Sequence, residues 1–129
     1  MGALRRNWAY VLLAFAPLLF LAPLLFSGET LGPFDSVRQM SPWEGPKPTR
    51  PWDVLQADAV LQFYGWRDLV FEGWRTGEVP HWNPYQLAGT PLLANSQSGA
   101  MYPLHILAGI FRLPTGLALV LLAWLHLAL

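Results

Sequence analysis

The side chains best suited to chemistry lie between Asp58 and Gln97. They read Asp58-Ala-Val-Leu-Gln62, then Trp66-Arg67, Trp82-Asn83-Pro84-Tyr85 and Asn95-Ser-Gln97. A carboxylate held near a hydroxyl can take its proton if pKa and geometry suit. A guanidinium is a planar fork of donors that matches a phosphate. Trp66, Trp82 and Tyr85 offer flat apolar faces on which a sugar ring can lie. The amides of Gln62, Asn83, Asn95 and Gln97 offer donors and acceptors for hydroxyls.

Each of these residues also has a purely structural reading. Asp58 can cap a helix. Arg67 and Asp68 can be a solvated face or an ion pair worth under about 1 kcal/mol. The tryptophans can be interfacial anchors or core. Trp82-Asn83-Pro84-Tyr85 can be a turn whose Asn braces its own backbone. His81, His105 and His126 lack metal-ligand spacing. The sequence has no Gly-rich phosphate loop, no Ser-His-Asp pattern and no repeat at solenoid spacing.

The composition narrows the classes further. The chain has 129 residues and no cysteine, which excludes a disulfide scaffold, a thiolate zinc site and a Cys nucleophile. Eight basic and eight acidic residues cancel, which removes the simplest case for a nucleic-acid binder. Charged residues make up 12%, about half the share of an average soluble domain.

The charges are unevenly placed. All eight acids lie between Glu29 and Glu78. From Trp8 to Phe26 there is no charge, and at about 1.5 Å per residue that run approaches the ~30 Å apolar thickness of a bilayer. Pro17 and Pro23 are tolerated in membrane-spanning helices, and Arg5 and Arg6 place residues 1–7 in the cytoplasm by the positive-inside rule. A signal peptide competes with this reading, but only a weak cleavage site, Ser27-Gly28-Glu29, follows Phe26. A second apolar region covers 104–129. Its uncharged part from Leu113 runs to the last residue with no basic stop or polar tail, so the sequence reads as truncated.

Between these regions, residues 27–103 form a loop expected on the extracytoplasmic side. It holds nine of the twelve prolines and five of the seven tryptophans. From Gly28 to Pro51 five prolines argue against regular structure. From about 53 to 76, Val60, Phe63, Tyr64, Phe71 and Trp74 recur at three- and four-residue steps and predict an amphipathic helix. Asp53 or Asp58 is its candidate cap, and Arg75 with Gly77 its stop. The predicted fold class is an α-helical membrane protein: one transmembrane helix, a long external loop carrying an amphipathic helix, and the start of a second membrane region.

Taken in order, Asp58-x-x-x-Gln62, Trp66-Arg67, Gly77-Glu78-Val-Pro80, Trp82-Asn83-Pro84-Tyr85, Gly89-Thr-Pro91 and Ala94-Asn95-Ser-Gln97 resemble the first external loop of bacterial YfhO-like membrane proteins. The resemblance covers essentially the whole chain. One departure is Gly65, where similar sequences often carry proline before the Trp-Arg pair. It implies a fragment of a multi-pass fold similar to the GT-C glycosyltransferases, located in the bacterial inner membrane. It also implies sugar transfer from a polyprenyl-phosphate-linked donor on the outer face, building an envelope polymer or lipid. By that resemblance an acid in the first external loop serves as general base or helps hold a divalent metal ion. Asp58 is the first choice and Asp35 the second, for either role. Gln62, Trp66, Arg67, Trp82, Asn83, Tyr85, Asn95 and Gln97 are the implied substrate-binding residues. The expected partners are the bilayer, the lipid-linked donor and the remaining transmembrane helices, and no nucleic acid. Two readings of other classes stay open: a complete two-span protein with a non-catalytic interaction loop, and a secreted domain released after Ser27.

Overall fold

The computed structural model of the chain describes residues 2–27, 30–46 and 54–129. Asp53, the end of the proline-rich stretch before it (47–52) and the Gly28-Glu29 pair lie outside the described residues. The protein is mostly helical and divides into two compact units, Met1–Leu31 with Gly116–Leu129, and Gly32–Thr115.

In the first unit, helix α1 runs Gly2–Phe26 through both Pro17 and Pro23. Its stretch Trp8–Phe26 is long and apolar enough to cross a membrane. Pro17 has no N–H for the carbonyl of Leu13. One residue on, the carbonyl of Ala14 accepts from the Trp124 indole at 2.7 Å. Trp124 belongs to helix α5 (Thr115–Ala128), which is apolar but has only 14 residues. At about 1.5 Å per residue it falls short of a bilayer's apolar thickness. Leu12, Leu13, Ala16, Pro17, Phe20 and Leu127 line an apolar groove of about 450 Å³ in this unit.

The second unit is built on one helix with an irregular middle. It starts as α2 (Val54–Asp58), widens into a π-helical segment over Ala59–Tyr64, and continues as α3 (Gly65–Thr76). Asp58 stands at the join and makes no side-chain capping bond. Of the face expected from the sequence only Phe71 is fully buried, while Val60, Phe63, Tyr64 and Trp74 are half-buried; Val70 and Trp66 supply the rest of the buried side. The helix ends at Gly77, whose φ of 79° turns the chain so that Glu78 N–H reaches the carbonyl of Gly73 at 2.8 Å. Within the proline-rich stretch, a short 3-10 helix forms at Phe34–Gln39, where the sequence suggested only irregular chain.

Against α3 lies helix α4 (Pro103–Ile110). Pro103 takes the first turn, where its missing N–H costs nothing. The buried face of α4 carries His105, Ala108 and Gly109. Small residues there let the two backbones approach closely: a Cβ on Gly109 would lie 2.4 Å from Trp74 Cβ and 2.9 Å from the Phe71 carbonyl oxygen. The apolar stretch from Leu104 is therefore not one element. It breaks after Ile110, where Leu113 N–H bonds the Ala108 carbonyl at 3.0 Å and Arg112 adopts a φ of 55°. Pro114 follows and α5 begins at Thr115. Residues 104–110 pack within the Gly32–Thr115 unit.

Because Gly109 faces backbone as well as side chain, its replacement by Val should lower the stability of this unit by about 1–3 kcal/mol, the usual range for overpacking. An unchanged chemical-denaturation midpoint would show that α3 and α4 do not approach this closely.

Candidate functional site

Asp58 is exposed, and its Oδ1 accepts from Gln62 Nε2 at 3.0 Å, one turn along. Gln62 falls inside the π-helical segment. Such segments appear mostly as single turns and frequently at functional sites. Asp35 is also exposed, in the first turn of the 3-10 helix. Its neighbour Phe34 meets the Tyr64 ring edge-on, with centroids 4.8 Å apart, so that 3-10 helix packs beside the π-helical segment.

The other candidates are held by the fold itself. The buried Trp66 indole donates to Gln86 Oε1 at 2.9 Å, and Asn83 Nδ2 reaches the same oxygen at 3.4 Å. Asn83 Oδ1 accepts the Tyr85 N–H at 3.0 Å, closing a side-chain turn, and Asn83 is itself buried. Gln86 thus joins Trp66 on α3 to the Trp82–Tyr85 turn. Arg67 Nη1 donates to the carbonyls of Gln97, at 2.6 Å, and Ser98. Burial pushes its guanidinium below the ordinary value. Asn95 Oδ1 accepts the Gln97 N–H at 3.1 Å and caps a one-turn 3-10 helix, Ser96–Ser98. The Gln97 side chain is left exposed.

Trp82 and Tyr85 flank a small hairpin. Strand β1 (Trp82–Asn83) pairs antiparallel with β2 (Thr90–Pro91), in the register Trp82 to Pro91 and Asn83 to Thr90. In its turn, Leu87 and Ala88 both take left-handed conformations, with φ of 52° and 61°. For residues with a Cβ each costs roughly 1–2 kcal/mol. Gly89 follows at φ 116°, and a Cβ there would strike the Trp82 indole at 2.5 Å. The indole therefore rests on glycine backbone, and only glycine fits under it. Trp82 keeps about half its surface exposed, and Tyr85 is 84% exposed.

Several residues of this site carry no pattern that sequence reasoning could single out. Gln86 is the shared acceptor just described. Ser98 is fully buried; its Oγ donates to the Leu92 carbonyl at 2.9 Å and accepts the Ala100 N–H at 3.2 Å. His105 is buried, with Nδ1 2.8 Å from the Gly99 carbonyl oxygen and its ring edge-on to Phe71 and Tyr102. Trp74 Nε1 donates to the Ala100 carbonyl at 2.9 Å. Farther along α3, Asp68 accepts from the Thr115 hydroxyl, and Arg75 donates to the Leu113 carbonyl. Phe71 and Trp74 belong to the periodic pattern of α3, but the loop groups they meet do not, since each contact closes a loop.

Among the described residues no three of His, Asp or Glu gather as metal ligands. No family model, curated protein or solved structure matches the chain.

Two outcomes follow for the scaffold. Gln86→Leu strands the buried Trp66 N–H and should cost about 1–3 kcal/mol, measured by denaturant unfolding, whereas a neutral effect would mean Gln86 is not the shared acceptor. The second concerns Tyr64, whose pKa is raised by burial and by the Asp68 carboxylate, with Arg75 opposing. A raised tyrosine pKa gives stability that is complete below the unfolded value near 10 and lost as pH climbs through the folded value. Tyr64→Phe should hence blunt alkaline unfolding. Equal alkaline sensitivity of the two proteins would contradict the shift.

Proposed function

We propose that the chain is the N-terminal part of a bacterial inner-membrane glycosyltransferase of GT-C-like architecture. In this reading α1 spans the bilayer with its N-terminus in the cytoplasm, and residues 27–103 work on the outer face. A polyprenyl-phosphate-linked sugar is the donor, and a hydroxyl of an envelope polymer or lipid is the acceptor. The residues carrying the resemblance, from Asp58-x-x-x-Gln62 to Asn95-Ser-Gln97, are the starting point.

The observation that carries the mechanism is the state of Asp58. Its carboxylate is exposed at the point where an α-helix becomes a π-helical turn, and Gln62 holds one of its two oxygens. The other oxygen can take the proton of an acceptor hydroxyl as the new glycosidic bond forms and the donor's phosphate leaves. Trp66, Arg67, Asn83 and Asn95 each have a polar atom engaged within the fold. They serve this reading by shaping the surface, and Trp82, Tyr85 and Gln97 are the groups of the implied binding set left with exposed side chains. Walls contributed by further transmembrane helices would complete the donor site.

In membranes carrying the complete protein, Asp58→Asn should reduce sugar transfer from a polyprenyl-phosphate-linked donor by about 10²–10⁴-fold, the usual worth of a general base. The variant's membrane level is measured alongside. Full activity of a correctly inserted Asp58→Asn protein would move the role to Asp35. Sugar transfer untouched by replacing either acid would favour the non-catalytic interaction loop.

A further inference from the structure

The turn between β1 and β2 is an outlier in two respects. Leu87 and Tyr85 are the most exposed large apolar side chains described in the Gly32–Thr115 unit, at 87% and 84%. Two successive left-handed residues that are not glycine hold Leu87 in that position. Backbone strain of this kind persists only where the surroundings enforce it, and it collects at functional sites. Here the enforcing surroundings are compact: the Trp82 indole pressed on Gly89, and Asn83 braced at both ends of its amide. A rigid base holds up a greasy tip.

We infer that this turn is a membrane-seating wedge, in which Tyr85 and Leu87 enter the interfacial layer of a lipid bilayer. The inference rests on the reading of α1 as a bilayer span. What favours lipid over a protein partner is charge. Between Glu78 and Arg112 the sequence has no Asp, Glu, Lys or Arg, so the turn and its supports bring no fixed charge to the headgroup layer. A tyrosine with its ring apolar and its hydroxyl wet is the residue type that settles at that depth. The wedge is also tethered. It shares a chain with Trp8–Phe26, so the bilayer is present at high effective concentration and a small apolar contact is enough to seat it. This places on the membrane a surface distinct from the amphipathic helix, whose apolar residues Val70 and Phe71 are already buried, Phe71 against His105 of α4.

The absence of cysteine makes the test direct. The whole chain is reconstituted in phosphatidylcholine vesicles with one introduced thiol carrying an environment-sensitive fluorophore. Lipids bearing a nitroxide on the headgroup or along the acyl chain are the quenchers. A label at Leu19→Cys reports α1, and a label at Tyr85→Cys reports the turn while keeping Leu87. The expected result is quenching at both positions, by acyl-chain nitroxides at 19 and by headgroup nitroxides at 85. Adding Leu87→Ser to the Tyr85→Cys protein should then reduce quenching at 85, with that at 19 unchanged. Quenching at 19 alone would overturn the wedge and leave the span standing. A label at 85 that is blue-shifted yet insensitive to lipid nitroxides would show that protein covers the turn, which overturns it too. Quenching at neither position would remove the span reading and the wedge with it.

Discussion

The approach of α4 to α3 over Gly109 is the constraint on which the Gly32–Thr115 unit depends. An interior packs at the density of an organic crystal, so two helices with bulky residues at the crossing could not bring their backbones this near. Glycine removes the obstacle, and the Phe71 and Trp74 backbone fills the space. Once α4 is fixed, His105 is carried to the Gly99 carbonyl and its ring to Phe71. The segment between the helices then has a floor to lie on. Trp74, Arg67 and Trp66, spaced along α3, each reach a different part of it, at Ala100, at Gln97 and Ser98, and at Gln86. A stretch rich in turns and almost free of regular structure is ordered by donors from one helix.

That arrangement changes the meaning of the conspicuous polar residues. Arg67 has the shape to grip a phosphate, but it grips two backbone carbonyls and loses water in doing so. Asn83 and Asn95 repeat one device, a side-chain oxygen that takes the N–H two residues on and sets a turn. Such carbonyls and amides would each be expensive to bury without a partner. The chain spends its most specific side chains on supporting its loops. Asp58 is among the groups left outward, at the join of α2 and the π-helical segment.

The sequence makes the long elements legible and leaves the short-range geometry obscure. The apolar run from Trp8 to Phe26 and the three- and four-residue recurrence from Val60 to Trp74 both report burial or solvation of a whole face, which repeats and so can be read. The π-helical turn after Asp58 has no periodic signature, because it is one local change in hydrogen bonding. Trp66 and Gln86 are far apart in sequence, and nothing in either residue type points to the other. Arg112 and Pro114 visibly interrupt the second apolar region, but the way the chain turns there is not legible. A left-handed residue after a helix is usually glycine, and here an arginine fills that place. Which acids stand exposed was equally unreadable, since exposure is a property of the fold.

The π-helical segment has a consequence for descent. Such a turn holds an extra residue within an otherwise regular helix. Deleting one residue between Ala59 and Tyr64 would let the helix close up as ordinary α-helix. The wide turn already absorbs the angle of about 100° that one more residue would add to a regular helix. Trp66, Val70 and Phe71 would stay seated, and Asp58 would keep nearly the direction it has now. A gap of one position in an aligned sequence would therefore still join chains that share this scaffold and the side on which its carboxylate stands.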